Sequence, residues 1–235
     1  RVIGMSTSDA GAGWPALTYE SLPWESDPSA VASRSAWRRH RGPYDAAVVP
    51  DIAGLDVALA PQVRADAEDA ANEIARFDAE LGDEIAPFSA VLLRTESAAS
   101  SKIENLTASA RAIAEAELSG RGGLNATLIV ANERAMTAAI SLAEQIDGAA
   151  ILSMHAALME GSQPEIAGRW REEQVWIGGS DLGPHQADFV PPHHGRVEDA
   201  IADLVAFIDR DDIGVLAHAA IAHAQFETIH PFVDG

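Results

Sequence analysis

The stretch Ala224-Gln225-Phe226-Glu227-Thr228-Ile229-His230-Pro231-Phe232-Val233-Asp234-Gly235 ends an Ala-rich helical run in an abrupt turn. The run starts near Ile213 and reaches about Thr228. Pro231 lacks an amide hydrogen and has a fixed φ, so the helix cannot pass it and Ile229-His230 must stand at its end. An imidazole there meets the negative end of the helix dipole, which alone would explain a histidine. Its neighbours ask for more. Phe232 can bury as an anchor, Asp234 places a carboxylate just downstream, and Gly235 permits close backbone approach to a ligand. A group that takes a proton, a carboxylate that can hold magnesium and a glycine-containing loop together suit hydroxyl attack on a phosphate.

Upstream of that turn the chain reads as helix. Val63, Ala67, Ala70, Ile74, Phe77 and Leu81 draw an apolar stripe at helical period, with Gly82 as its stop and Pro87 opening the next element. Ile103, Leu106, Ala110, Ile113 and Leu118 make a second stripe, ended by Gly120, Gly122 and Gly123, the best linker candidate. A third runs from about Asn125 through Leu128, Ala131, Ala135 and Leu142 to Ile146, with Gly148 past its end, and a short one holds Leu152, His155, Leu158 and Met159 before Gly161. Val197, Ile201, Leu204, Val205 and Ile208 form another. Residues 174–192 break the pattern. Val175-Trp176-Ile177 and Phe189-Val190-Pro191-Pro192 flank the Gly-rich Gly178-Gly179-Ser180 and predict a β-hairpin. Residues 1–60 predict an irregular arm anchored by Trp14, Trp24 and Trp37, with a solvated basic cluster at Arg34, Arg38, Arg39 and Arg41. The expected class is all-α with one hairpin.

Composition narrows the function. With 235 residues, the chain suffices for one large domain or two small ones sharing a core. A formal charge of -20 repels nucleic-acid backbones, so nucleic-acid binding by this segment is not expected; a local amide-lined phosphate site remains open. There is no cysteine, no apolar run of membrane-spanning length, and no signal-peptide layout in Arg1-Val2-Ile3-Gly4-Met5, which together predict a cytoplasmic protein.

The closing stretch resembles the opening of the Fic signature, His-Pro-Phe-x-(Asp/Glu)-Gly-Asn-Gly-Arg-x-x-Arg; the part from Asn onward lies outside the 235 residues. Gly168-Arg169-Trp170-Arg171, Val175 to Gly179 and Phe189 to Pro192 resemble the family's flap region, and the likeness covers roughly residues 90–235. The resemblance implies a Fic-type helical bundle with a small hairpin flap, a core over residues 121–235 and an N-terminal helical region over 1–120. It implies protein adenylyltransfer from ATP to a Ser, Thr or Tyr hydroxyl, on another protein or on itself. In it His230 is the general base, Asp234 holds Mg2+, Gly235 begins the nucleotide-binding loop, and Ile177, Gly178, Gly179, Phe189 and Val190 dock the target by main-chain bonds. Ser100-Ser101-Lys102-Ile103-Glu104-Asn105 fits the family's inhibitory pattern (Ser/Thr)-x-x-x-Glu-(Gly/Asn), with Ser100 and Glu104 on one helix face. A homodimer is compatible with this picture. The alternative is a non-catalytic interaction or regulatory module of Fic fold that lacks the phosphate-binding loop.

Other histidines and acids read as structural. His218 and His223 lie about 140° apart around a helix, poor geometry for a shared metal. His193-His194 read as solvated, and Asp209, Asp211 and Asp212 lack calcium-loop spacing.

Overall fold

The computed structural model describes residues 14–25, 32–85, 89–103, 105–143 and 145–234. Two strands and eight α-helices follow in the order β1 (Thr18–Leu22), α1 (Arg34–Arg39), β2 (Tyr44–Val48), α2 (Pro61–Ile85), α3 (Ser89–Ile103), α4 (Ala110–Ser119), α5 (Leu124–Leu142), α6 (Gly148–Met159), α7 (Val197–Ile208) and α8 (Val215–Ile229). The molecule is mostly helical, as its sequence pattern requires.

The core that carries the site lies among α6, α7 and α8. Ile151, Val197, Ile201, Leu204, Phe207, Ile229 and Phe232 bury together, and Ile52 joins them from the segment after β2. Specific bonds hold that segment down. The Asp203 carboxylate of α7 accepts the amides of Ile52 at 2.6 Å and Ala53 at 3.1 Å. Gln225 of α8 donates to the Pro50 carbonyl at 2.9 Å, and Arg210 donates to the Leu55 carbonyl at 2.6 Å. An extended segment without a sheet partner thus satisfies its backbone through side chains.

A second cluster, Ile113, Ala116, Ala126, Ile129 and Val130, packs α4 on α5. The glycines between those helices make a tight joint. Gly120 caps α4 in the left-handed region at φ 66°, and a Cβ on Gly122 would lie 2.3 Å from the Ala112 carbonyl oxygen.

Several boundaries differ from the sequence pattern. The stripe from Ile103 to Leu118 is two helices, because Asn105 turns left-handed at φ 59° and Ser109 starts α4 by accepting the Ala112 amide. Gly148 opens α6, with Asp147 as N-cap, so the third helix stops at Leu142. Gly82 lies inside α2, and Pro87 falls outside the described residues. The apolar stripe of α2 does not enter a core, since Val63, Ile74 and Phe77 are all more than half exposed.

The predicted arm contains the two-stranded sheet. β1 and β2 run antiparallel, Thr18 opposite Val48 and Leu22 opposite Tyr44. The predicted hairpin at 174–192 is instead a loop closed by isolated bridges, Ile177 to Phe189 and Ser180 to Gly183. That loop leans on the sheet. The Ala47 amide of β2 donates to the Val190 carbonyl at 3.0 Å, and Tyr44, Ala46 and Val190 share a small core with Trp24 and Trp176. Trp24 is the anchoring tryptophan, edge-on to both Tyr44 and Trp176. Trp14 is 47% exposed and Trp37 half-buried, so neither anchors as firmly.

Candidate active site

Helix α8 ends on His230, in the left-handed region at φ 49° and ψ 65°, its amide donating to the Phe226 carbonyl at 2.9 Å. Pro231 disfavours the right-handed helical region for the residue before it, and a non-glycine residue held left-handed costs on the order of 1 kcal/mol. Such strain persists only where surrounding contacts enforce it. Here the enforcement comes from both sides of the turn.

One side is Arg171, 3% exposed. Its Nε donates to the His230 carbonyl at 2.7 Å, one terminal nitrogen to the Glu173 carbonyl at 3.0 Å, and the other to the Pro192 and Ile229 carbonyls. Its own amide donates to the Pro231 carbonyl at 3.0 Å. A helix C-terminus leaves carbonyls without intrahelical donors, and this guanidinium supplies them while facing the negative end of the dipole. Burial pulls the Arg171 pKa down to about 10, still well above neutrality, so the cation remains.

The other side is Phe232, buried against α6. Its ring lies 3.7 Å centroid to centroid and 7° from coplanar with His155, and stacks on Trp170 at 5.2 Å. His155 receives the Gly168 amide on Nδ1 at 3.1 Å and donates from Nε2 to the Asp234 carbonyl at 2.8 Å. Gln163, just past α6, donates to the Asp234 carboxylate.

These contacts bring the two predicted chemical groups together. His230 and Asp234 line one small cavity of about 140 Å³, with Phe226, Glu227 and Phe232 in its wall. Burial, and then the Arg171 cation, hold the His230 imidazole below its ordinary pKa of 6.5, with Glu227 opposing weakly. The ring is therefore neutral, and able to accept a proton, at physiological pH. Asp234 offers hard carboxylate oxygen, the donor magnesium prefers, and Mg2+ commonly takes one or two protein carboxylates and completes its shell with substrate phosphates and water. Among the described residues no group of three His, Cys, Asp or Glu could hold a metal by itself, so the fit is to magnesium brought with a phosphate ligand.

The remaining predicted residues are placed as follows. Ile177 and Phe189 face each other with their peptide groups engaged, the Ile177 amide on the Phe189 carbonyl at 2.9 Å and the Asp188 amide on the Ile177 carbonyl at 2.8 Å. The Val190 carbonyl is bound by β2. Gly178 and Gly179 sit at φ 76° and 78°; a Cβ on Gly179 would press to 2.6 Å of the Gln186 carbonyl oxygen. Both glycines are exposed. Ser100 is exposed on α3, while its neighbour Ser101 turns inward, donating to the Ser97 carbonyl and accepting from Asn132. Glu104 and Gly235 lie outside the described residues. His193 and His194 are half-buried and in ring contact at 4.0 Å, which corrects their reading as solvated. His218 donates from Nε2 to the Phe207 carbonyl at 2.8 Å, since a carbonyl can only accept. Asp212 takes a bidentate pair from Arg210 and shows no calcium-loop arrangement.

Residues 145–235 match the Fic/DOC family model. The chain carries a Fic domain. Within curated proteins it is 32% identical over 88 residues to protein adenylyltransferase fic-1 of Caenorhabditis elegans, and 31% identical over 88 residues to that of Caenorhabditis briggsae. Each match covers 36% of this chain and 16% of the relative, so the chain spans a small part of those proteins' length. Among solved structures it resembles a Fic family protein from Desulfovibrio desulfuricans G20, with TM-score 0.60 and 22% identity over 76% of this chain and 55% of that one. It also resembles a Caenorhabditis elegans Fic-1 variant, with TM-score 0.53 and 21% identity over 74% of this chain and 55% of that one. At those identities the structural likeness shows a shared fold.

Arg171, His155 and Gln163 carry geometry that the sequence pattern did not assign to them. Their partners in the turn at 230–234 lie 59 to 79 residues away in the chain, beyond the reach of local spacing. The only local signal was the Gly168-to-Arg171 run itself.

Proposed function

We propose that the Fic domain transfers AMP from ATP to a Ser, Thr or Tyr hydroxyl of a protein. The observation that carries this reading is a neutral, half-buried His230 facing the same cavity as the Asp234 carboxylate. His230 takes the proton of the attacking hydroxyl. The hydroxyl oxygen forms a bond to the α-phosphorus, the bond from that phosphorus to the bridging α–β oxygen breaks, and pyrophosphate leaves. Asp234 would hold Mg2+, whose charge, when bound, offsets that of the phosphates. Gly235 would contribute backbone to the binding of those phosphates. Arg171 does not touch reactants in this scheme; it fixes the carbonyls behind His230 and keeps the imidazole neutral.

The target peptide would dock along the loop at 177–190. Because Ile177, Phe189 and the Val190 carbonyl are already bonded, the backbone of Gly178 and Gly179 is the part open to an incoming strand. Glu104, four residues after Ser100 in the chain, would restrain the reaction by competing at the nucleotide. The reading is that of a cytoplasmic protein with access to ATP.

The test uses the protein as encoded and ATP labelled at either the α- or the γ-phosphate. AMP transfer predicts protein-bound label from the α-labelled nucleotide only. Label from γ-labelled ATP would mean phosphoryl transfer. No label from either, in a protein that still binds a peptide partner, would favour the non-catalytic module.

A further inference from the structure

His155 lies on α6, 75 residues before His230 in sequence, and no part of the scheme above gives it a task. Its surroundings are unusually determined. A backbone amide can only donate, so the 3.1 Å contact from Gly168 fixes Nδ1 as an acceptor. A carbonyl can only accept, so the 2.8 Å contact to Asp234 fixes Nε2 as the protonated nitrogen. The ring is 4% exposed and lies flat on Phe232 at 3.7 Å. Three contacts therefore select one tautomer, one ring plane and one rotamer.

The supporting loop is shaped for this. Gly168 stands at φ 66°, and a Cβ there would come within 3.0 Å of the Ala156 Cβ and 3.2 Å of the Leu152 carbonyl oxygen. Only glycine lets that backbone lie against α6 closely enough to aim its amide at His155. Gln163, from the same connection, holds the Asp234 carboxylate while His155 holds the Asp234 carbonyl. The backbone and side chain of one residue are thus fixed separately.

We infer that His155 is a positioning residue for the transfer reaction: as the Nε2–H tautomer it sets the backbone at Asp234, and so the placement of the Asp234 carboxylate in the cavity it shares with His230. The inference rests on the adenylyltransfer reading for its consequence, but its geometry stands without it. Groups that orient a ligating carboxylate are worth roughly 10–100-fold in metal affinity or activity when removed.

Three substitutions separate this role from packing. His155→Gln keeps a donor where Nε2 stood. His155→Asn keeps an acceptor where Nδ1 stood but is too short to reach Asp234. His155→Phe keeps the stack on Phe232 and loses both bonds. The measurements are nitrogen chemical shifts of labelled histidine, the amide resonances of Val233 and Asp234, and calorimetric titration with ATP and Mg2+. Expected are an Nε2–H tautomer, unmoved Val233 and Asp234 resonances with affinity within about threefold for Gln, and shifted resonances with a loss of about 10–100-fold for Asn and Phe. If Phe does not fold, Gln against Asn decides. An Nδ1–H tautomer, or an Asn variant matching the wild type in resonances and affinity, overturns the inference. Should the wild type itself bind no nucleotide, the adenylyltransfer reading fails, while the tautomer and the Val233 and Asp234 resonances still decide whether His155 positions this backbone.

Discussion

Replacing Arg171 by methionine removes the cation behind His230 while keeping most of the side-chain volume. Two of its bonds, to the His230 and Glu173 carbonyls, have ordinary lengths, a third, to Pro192 at 2.5 Å, is short, and the fourth, to Ile229 at 3.4 Å, is weak. Hydrogen bonds from a charged donor contribute about 1.5–3 kcal/mol each, so the three together represent roughly 5–9 kcal/mol. Against this stands the cost of burying the charge. A pKa drawn from 12.5 to about 10 corresponds to about 3 kcal/mol, which the methionine variant recovers. The difference, about 2–6 kcal/mol, is comparable to the 3–5 kcal/mol typical of breaking a buried charged pair. With a urea slope of roughly 1–3 kcal/mol per molar, the unfolding midpoint should fall by at least about 1 M. Arg171→Lys keeps the charge without the fork and should fall between the two. A methionine variant within about 0.5 kcal/mol of the wild type would refute the reasoning, because it would mean that the α8 carbonyls are satisfied without the guanidinium.

Four further outcomes follow from the same structure. Because burial holds the folded-state pKa of His230 below 6.5, its contribution to stability is present above pH 6.5 and is lost as pH falls through the folded value; unfolding free energies of wild type and His230→Gln should converge above that pH and diverge below it, with the wild type losing more. The acid limb of any transfer activity should have its midpoint below pH 6.5 for the same reason. Asp203→Ala leaves the Ile52 and Ala53 amides without an acceptor and should lower stability by about 2–3 kcal/mol in urea titration, since each orphaned buried donor costs about 1–3 kcal/mol. Gly179→Ala forces a Cβ against the Gln186 carbonyl and a strained φ, so modification of a target peptide should drop severalfold, while nucleotide affinity, measured separately, stays within about twofold.

What the sequence made legible was local. Pro231 forced the end of α8, and the same short motif carries the His230 imidazole and the Asp234 carboxylate that line one cavity. The features it concealed depend on distance or on weak local preference. Tyr44-Asp45-Ala46-Ala47-Val48 is short and Ala-rich, so it carries little β-propensity; its strand exists because Leu22, Trp24 and Val190 bury against Tyr44 and Ala46. The run at 175–190 has β-prone ends, yet Gly178 and Gly179 with positive φ and the 3-10 turn at Pro184–Gln186 consume the pairing, leaving single bridges. The stripe of α2 shows the opposite failure: helical period was present, but Ile74 and Phe77 stay exposed because the helix meets the rest of the described chain mainly through α8. Arg171 was visible as part of a motif, and its task was not, because all the carbonyls it serves but one lie on distant segments.

The central claim is that His230 is the base of an AMP transfer held in check by Glu104. The direct measurement is incorporation of α-phosphate label from ATP into the protein as encoded, comparing wild type, Glu104→Gly, and Glu104→Gly combined with His230→Ala. The account predicts weak labelling of the wild type, stronger labelling of the Glu104→Gly variant, and loss of roughly 100-fold or more when His230 is also removed. Equal labelling with and without the His230 imidazole would contradict it.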